Sequence, residues 1–240
     1  MNGDTISLKL TNRTLVIMAK APRRGSVKTR LADSLSLDAV TELYRCLLSD
    51  TITLAQALDD VEIAIVCPLP DVEDLSLAVP KTVRIVPQTE EGLTAGLACV
   101  FKHFATADHQ RVIAFNSDSP HLPLSALQTA FDVLGNCDLA VGPTHDGGYY
   151  LVGARASYPG LFISDGMGRA NALETLLTRA RVLGLSVHLT DPIYDIDVEA
   201  DLRNLADELH CIPEKAPRTA KWLSEWASAT RQLGKSDQHT

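Results

Sequence analysis

Val112-Ile113-Ala114-Phe115-Asn116-Ser117-Asp118-Ser119-Pro120 decides the reading of this chain. Its first four residues form a short apolar run of the kind that makes a strand buried on both faces. The polar residues that follow then lie at the strand's carboxyl end, where open α/β sheets bind ligands. A carboxylate there, Asp118, is a hard oxygen donor suited to Mg²⁺ (or Mn²⁺) carrying phosphates.

Working outward, similar apolar runs recur at 14–19, 61–66, 83–86, 138–141 and 186–189. Between them lie stretches with apolar residues at helical spacing: 37–58, 92–104, 124–134, 172–183 and 198–209. Ser36 is placed to cap the first of these. Strands alternating with helices in this way predict an α/β fold with a mostly parallel central sheet and helices on both faces. No repeat or linker divides the chain. Residues 1–212 read as one domain, and 213–240 as an amphipathic helix followed by a tail whose last eight residues read as disordered. Trp222 and Trp226, four residues apart, are placed to dock that helix on the body or on a second subunit, so a homodimer is one reading.

The chain has 240 residues and a net charge of −8, which excludes the clustered basic footprint of a nucleic-acid binder. No apolar run reaches the ~20 residues of a membrane helix, and Met1–Thr11 carries no signal-peptide pattern. The five cysteines, Cys46, Cys67, Cys99, Cys137 and Cys211, are widely spaced and include no CxxC pair. They read as buried free thiols of a cytoplasmic protein.

Against the acidic background, the segment after the first strand stands out. Residues 20–30 hold five cations: Lys20, Arg23, Arg24, Lys28 and Arg30. Arginine grips phosphate bidentately and lysine acts as a mobile point charge, while Gly25 permits a tight turn. The alternative is a solvated basic loop. The segment is neither a Walker A loop nor a Rossmann fingerprint.

Two further segments carry acids. In Tyr194-Asp195-Ile196-Asp197 the two aspartates share one face if the backbone is extended. Asp197 reads either as the cap of the following helix or as a second metal ligand, since two carboxylates plus phosphate and water make a normal Mg²⁺ shell. Asp146-Gly147-Gly148 is either an ordinary turn or the floor beneath a ligand, with Asp146 binding a hydroxyl, an amine or the metal. His145 and His121 rank below Asp146. Ser117 and Ser119 lack the nucleophile-elbow pattern, and no zinc spacing occurs.

Taken together, Ala19-Lys20-Ala21-Pro22, Gly25, residues 27–31, Ser117-Asp118-Ser119-Pro120, Gly142-Pro143, residues 146–153 and Asp195-Ile196-Asp197 resemble a bacterial family of glycosyltransferase-A-like proteins. Its members are labelled nucleotide-diphospho-sugar transferases or arsenosugar-biosynthesis glycosyltransferases. The family is similar to the 2-phospholactate and molybdenum-cofactor guanylyltransferases. The resemblance runs from about Thr14 to Leu209. It implies phosphate roles for Lys20, Arg23, Lys28 and Arg30, and metal ligation by Asp118 and Asp197. It also implies base and ribose contacts from residues 88–97, among them Gln88, Gly92 and Thr94. The chain departs from the family pattern at 88–97, at Asp165-Gly166-Met167-Gly168-Arg169 and at His121.

The resulting expectation is a metal-dependent transferase that uses an activated nucleotide, an NTP or a nucleotide-diphospho-sugar, and a small-molecule acceptor. Lys28, Asp118 and Asp146 are its candidate catalytic residues, and Gly25, Gly147 and Gly148 bring backbone close to the ligand. Asn116 stands where a glycosyltransferase DxD motif has its first aspartate, which tilts the reading towards nucleotidyl transfer. Glycosyl transfer and a non-catalytic nucleotide-binding protein are the alternatives.

Overall fold

The computed structural model describes residues 11–88, 90–105, 111–163 and 171–236, with side chains to 229. One seven-stranded sheet organises it, built from β1 (Arg13–Met18), β2 (Glu62–Pro68), β3 (Arg84–Gln88), β4 (Arg111–Asn116), β5 (Leu139–Pro143), β6 (Tyr149–Ala154) and β7 (Val187–Leu189). The spatial order is β3-β2-β1-β4-β6-β5-β7. All pairings are parallel except those of β6, which runs antiparallel between β4 and β5. The expected α/β class and mostly parallel sheet are therefore present, and β6 is the departure. The five-residue segment 144–148 joins β5 to β6, too short for a parallel crossover, so the chain must turn back.

The helices are α1 (Leu37–Gln56), α2 (Val72–Ala78), α3 (Leu93–Phe104), α4 (Leu124–Val133), α5 (Ala172–Val182), α6 (Glu199–Cys211) and α7 (Pro217–Ser236). The pleat sends alternate strand residues to opposite faces. Leu15, Ile17, Ile65, Ile113 and Phe115 pack with α1 and α4. Val16, Ala64, Val66, Val112 and Ala114 face the other way, onto Leu97, Val100 and Phe101 of α3 and Leu176 of α5. This two-sided burial is why β4 reads as an unbroken apolar run. Each buried Val, Leu, Ile or Phe side chain among them contributes about 1.5–3 kcal/mol relative to exposure.

The helix α1 has two apolar stripes. Tyr44, Leu48 and Ile52 meet the sheet, while Val40, Leu43 and Leu47 meet α6 and α7 as a third layer. The Ser36 side chain caps α1 as expected, accepting from the Ala39 N–H at 3.2 Å. The buried Asp50 of α1 accepts from the Thr219 N–H at 2.8 Å, satisfying an orphan donor in the first turn of α7. Trp222 and Trp226 stack at 6.3 Å and pack against this layer of their own chain. The helix α7 continues to Ser236, into the stretch expected to be disordered. Residues 1–10, 165–169 and 237–240, on which earlier expectations bear, lie outside the described residues.

Of the cysteines only Cys67 is buried; Cys211 is exposed and the others are intermediate. All five are free thiols. No helix among the described residues is long and apolar enough to cross a membrane.

Candidate active site

The chain leaves β1 towards β2 on one side, while β4 lies on the other, so a crevice opens at the carboxyl ends of β1 and β4. Tyr44 of α1, buried in this crevice, ties the two strand ends together. Its hydroxyl lies 2.9 Å from the Ser117 hydroxyl, accepts from the Lys20 N–H at 3.2 Å and lies 3.3 Å from the Lys20 carbonyl. Burial pushes the Tyr44 hydroxyl up to about 12, so it stays a neutral donor and acceptor. Asn116 holds the following turn by donating to the Ser119 hydroxyl at 2.8 Å.

The basic loop splits into two parts. In the first, the Arg23 guanidinium pairs with Asp71, with Asp74 at 2.6 Å and with the Pro70 carbonyl at 2.7 Å. Asp71 also accepts from the Ala21 N–H at 2.8 Å, and Arg24 pairs with Asp38 at 2.9 Å. These contacts latch the loop onto α1 and the start of α2. Gly25 then takes a φ of +76°, which favours glycine. A Cβ there would meet nothing within 4 Å, so the turn is set by backbone conformation rather than by space.

The second part reaches the carboxylates. Lys28 Nζ lies 2.5 Å from Asp118 Oδ2 and 3.3 Å from Asp197 Oδ1. Arg30 Nη1 lies 2.9 Å from Asp197 Oδ2. The Lys28 side chain is only 8% exposed and Arg30 is 72% exposed, so one cation is enclosed and the other faces solvent. Burial alone would lower the Lys28 pKa, but the charges of Asp118 and Asp197 outweigh it and the ammonium is held above its usual range. Lys28 has φ 45° and ψ 44°, a left-handed backbone unusual for a residue with a Cβ.

Asp197 is free for this pairing because it is not the helix cap. The Asp201 carboxylate reaches back instead, accepting from the N–H groups of Asp197 and Val198 at 2.8 Å each. Asp195, not assigned a site role from sequence, lies close to Asp118, Asp146 and Asp197. Burial, reinforced by Asp118, pushes its carboxyl up to about 7. Its signal was the shared face of 195 and 197. Asp146 closes an Asx turn, accepting from the Thr144 hydroxyl at 2.6 Å and the Gly148 N–H at 3.0 Å. The Thr144 hydrogen bond leads in holding its carboxyl below the usual range. A Cβ at Gly148 would meet Thr144 Oγ1 at 2.8 Å, which explains that glycine as packing within the turn.

A cleft of about 560 Å³ opens beside these groups, lined by Met18, Lys20, Val66, Pro68, Gln88 and Gly92 among others. Gln88 donates to the Glu90 carbonyl at 2.8 Å and shapes the turn into α3, where Gly92 has φ +96°. A smaller cavity of about 190 Å³ shares Met18 and Leu93 with the cleft and runs to Asp118 and Tyr149. Together their linings run from Gln88 and Gly92 to Asp118. Of the expected residues, Lys28, Arg30, Asp118 and Asp197 come together directly, with Asp146 at the rim. Lys20, Gln88 and Gly92 line the cleft. Thr94 sits in the first turn of α3, and Arg23 is turned away onto α2. His145 is exposed. His121 is buried, stacks on Tyr194 at 4.6 Å and is pushed down to about 4, chiefly by burial. Tyr44 and Ser117 were missed as positioning residues because helical spacing marks Tyr44 only as core.

No group of three or more His, Cys, Asp or Glu among the described residues is arranged to hold a metal. Asp118 and Asp197 nonetheless fit a hard divalent cation as a two-carboxylate set. A cation, the Lys28 ammonium, already bridges them, and phosphate and water oxygens are the natural remaining ligands.

Comparison with known proteins agrees with the resemblance noted from sequence. A crystal structure from Desulfovibrio desulfuricans G20, described as "putative nucleotide-diphospho-sugar transferase", superposes with a TM-score of 0.82 at 25% identity, over 93% of this chain and 98% of that one. A nucleotidyl transfer enzyme from Methanothermobacter, described as "a nucleotidyl transferase", matches at TM-score 0.55 and 15% identity, over 84% and 99% of the two chains. The 4-diphosphocytidyl-2C-methyl-D-erythritol synthase of Anaerococcus prevotii matches at 0.52 and 10%, over 83% and 97%. The latter two show a shared fold. No curated protein sequence matches the chain. Residues 51–169, which carry β2 to β6 and Asp118, match the model of a family described as "Uncharacterized protein conserved in bacteria (DUF2064)".

Proposed function

We propose that this protein is an enzyme, a divalent-metal-dependent transferase that uses an activated nucleotide, and that it catalyses nucleotidyl transfer to a small-molecule acceptor. The observation that carries the reading is the enclosed Lys28 bridge between Asp118 and Asp197, beside a cleft large enough for a nucleoside. A cation held by Asp118 and Asp197 would neutralise phosphate charge. The chain's own groups supply the rest. Lys28 and Arg30 present positive charge to the phosphates, and the Tyr44 tie fixes the loop that carries them. Asp146 lies at the rim, where an acceptor would approach.

In nucleotidyl transfer an acceptor oxygen forms a bond to the α-phosphorus of an NTP. The bond from that phosphorus to the bridging oxygen breaks, and pyrophosphate leaves with the electron pair. Support for this chemistry comes from Asn116, whose amide is committed to Ser119, leaving one carboxylate in the loop after β4. Glycosyl transfer is the second reading, favoured by the likeness to the Desulfovibrio protein. The free thiols support a reducing compartment, and we assign the protein to the cytoplasm.

The test is to offer each NTP and each common NDP-sugar with Mg²⁺ and a panel of phosphorylated and hydroxylated acceptors. Acceptor-dependent release of pyrophosphate supports the proposal. Release of NDP from a sugar nucleotide would replace it with glycosyl transfer, and no product from either donor class would overturn both.

A further inference from the structure

We propose that Lys28 is the resident counter-cation of the Asp118–Asp197 pair, keeping a bare divalent ion out of the site and leaving it only when a polyphosphate arrives to receive the ammonium. This inference rests on the reading of Asp118 and Asp197 as metal ligands. Three observations carry it.

The first is occupancy. The ammonium stands 2.5 Å from one carboxylate and 3.3 Å from the other, with its side chain enclosed. It therefore engages an oxygen of each carboxylate that a metal would need. A divalent ion placed beside it would bring like charges together in a partly desolvated site.

The second is the surrounding charge. Asp195 lies near both members of the pair and near Asp146, and the only other cation paired with either member among the described residues is the exposed Arg30. The site is strongly acidic once Lys28 departs, which favours a divalent ion then and only then. The third is the backbone. Lys28 is held in a left-handed conformation, of the kind that persists only when surrounding contacts enforce it. Those contacts are the two ion pairs and the short helical turn Thr29–Asp33, in which the Leu31 N–H donates to the Lys28 carbonyl at 3.0 Å. Releasing the ion pairs frees the loop to move. Lysine suits this task better than arginine, because its flexible stem carries a compact charge that can be handed from carboxylate to phosphate. The consequence is reciprocal coupling, in which metal strengthens polyphosphate binding and polyphosphate strengthens metal binding.

The experiment titrates Mn²⁺, read by electron paramagnetic resonance of the free ion, into wild type, Lys28→Met and Arg30→Gln, each with and without inorganic tripolyphosphate, the former against a protein-free titration that gives the Mn²⁺ held by tripolyphosphate itself. Wild type should bind Mn²⁺ alone weakly, and tripolyphosphate should raise its affinity by about ten-fold or more, within the usual span of site-to-site coupling. Lys28→Met should bind Mn²⁺ alone about ten-fold more tightly than wild type and lose most of the coupling. Arg30→Gln removes one charge but not the occupant, so it should change Mn²⁺ affinity by no more than about three-fold. Equal gains in both variants would reduce the effect to net charge and overturn the proposal. So would unchanged Mn²⁺ affinity in Lys28→Met. If that variant fails to fold, the wild-type arm decides, since Mn²⁺ affinity unmoved by tripolyphosphate also overturns it. If no protein binds Mn²⁺ under either condition, the metal reading itself falls. Tight binding of Mn²⁺ alone by wild type and Lys28→Met alike defeats only the counter-cation role.

Discussion

Two halves of one loop, eleven residues long, carry the same charge and do opposite things. Arg23 and Arg24 are bound to Asp71, Asp74 and Asp38 on neighbouring helices. Lys28 and Arg30 are bound to Asp118 and Asp197, at the ends of elements far apart in sequence. The first half is a latch that positions, and the second faces the crevice. The difference teaches that a cluster of cations in an acidic protein cannot be read as one site. Acids close in space but distant in sequence claim the nearest guanidinium groups, and the cations carried past the Gly25 turn reach the carboxylates.

The largest expected effect breaks the second half. Asp118→Ala should weaken Mg²⁺-dependent nucleotide binding by about 100-fold, in the range found when a desolvated charge loses its partner. Calorimetry checks this. The substitution should also lower the melting temperature, because Lys28 already compensates Asp118 and is left with Asp197 alone. Like-charge repulsion between Asp118 and Asp197 is already offset by that ammonium.

Next in size is an acid effect beneath the crevice. His121 supports Tyr194, the residue before Asp195. Its pKa in the fold is lowered from 6.5 to about 4, so the unfolded chain binds the proton first. The His121 contribution to stability is constant above pH 6.5 and falls as pH drops towards 4, by about 3 kcal/mol in total. Asp195 acts in the opposite direction. Its carboxyl is raised from 3.8 to about 7, so its contribution is present at low pH and is lost as pH rises through 7. Denaturant unfolding of wild type against His121→Phe between pH 4 and 7 isolates the histidine. Parallel stability curves would show that His121 does not titrate this way.

Much of this was legible before the fold was known, for identifiable reasons. Strands buried on both faces, such as β4, announce themselves as apolar runs, and the acid at 118 follows from being next in the chain. The direction of β6 was not legible, since an apolar run carries no sign of parallel or antiparallel pairing. The helix α2 is only seven residues long, too short for helical spacing to register. The split of the basic loop depends on Asp71 and Asp74, which sequence distance hides from Arg23. Asp197 was left between cap and ligand, and Asp201 takes the capping contacts, which removes the first of those readings.

A smaller change sharpens the comparison at the join between strands. Tyr44→Phe removes one hydroxyl that serves Lys20 and Ser117 at once. It should cost about 1 kcal/mol in stability and reduce turnover more than that loss alone explains. Chemical denaturation and initial rates check the two parts. Smallest is the paired test of the loop itself. Arg30→Ala should weaken nucleotide binding by roughly three-fold with little change in melting temperature. Arg23→Ala should lower the melting temperature by a few degrees and leave the affinity of the remaining folded protein nearly unchanged. The reverse assignment would dissolve the distinction between latch and site.

The measurement that bears most directly on the account is a thermal-shift panel of wild type with each NTP and NDP-sugar, in Mg²⁺, in Mn²⁺ and in EDTA. A ligand that binds only the folded state raises the melting temperature by mass action. The account predicts stabilisation by at least one NTP that requires the metal and disappears in EDTA and in Asp118→Ala. Stabilisation that is equal in EDTA, or none by any nucleotide in any metal, would contradict it.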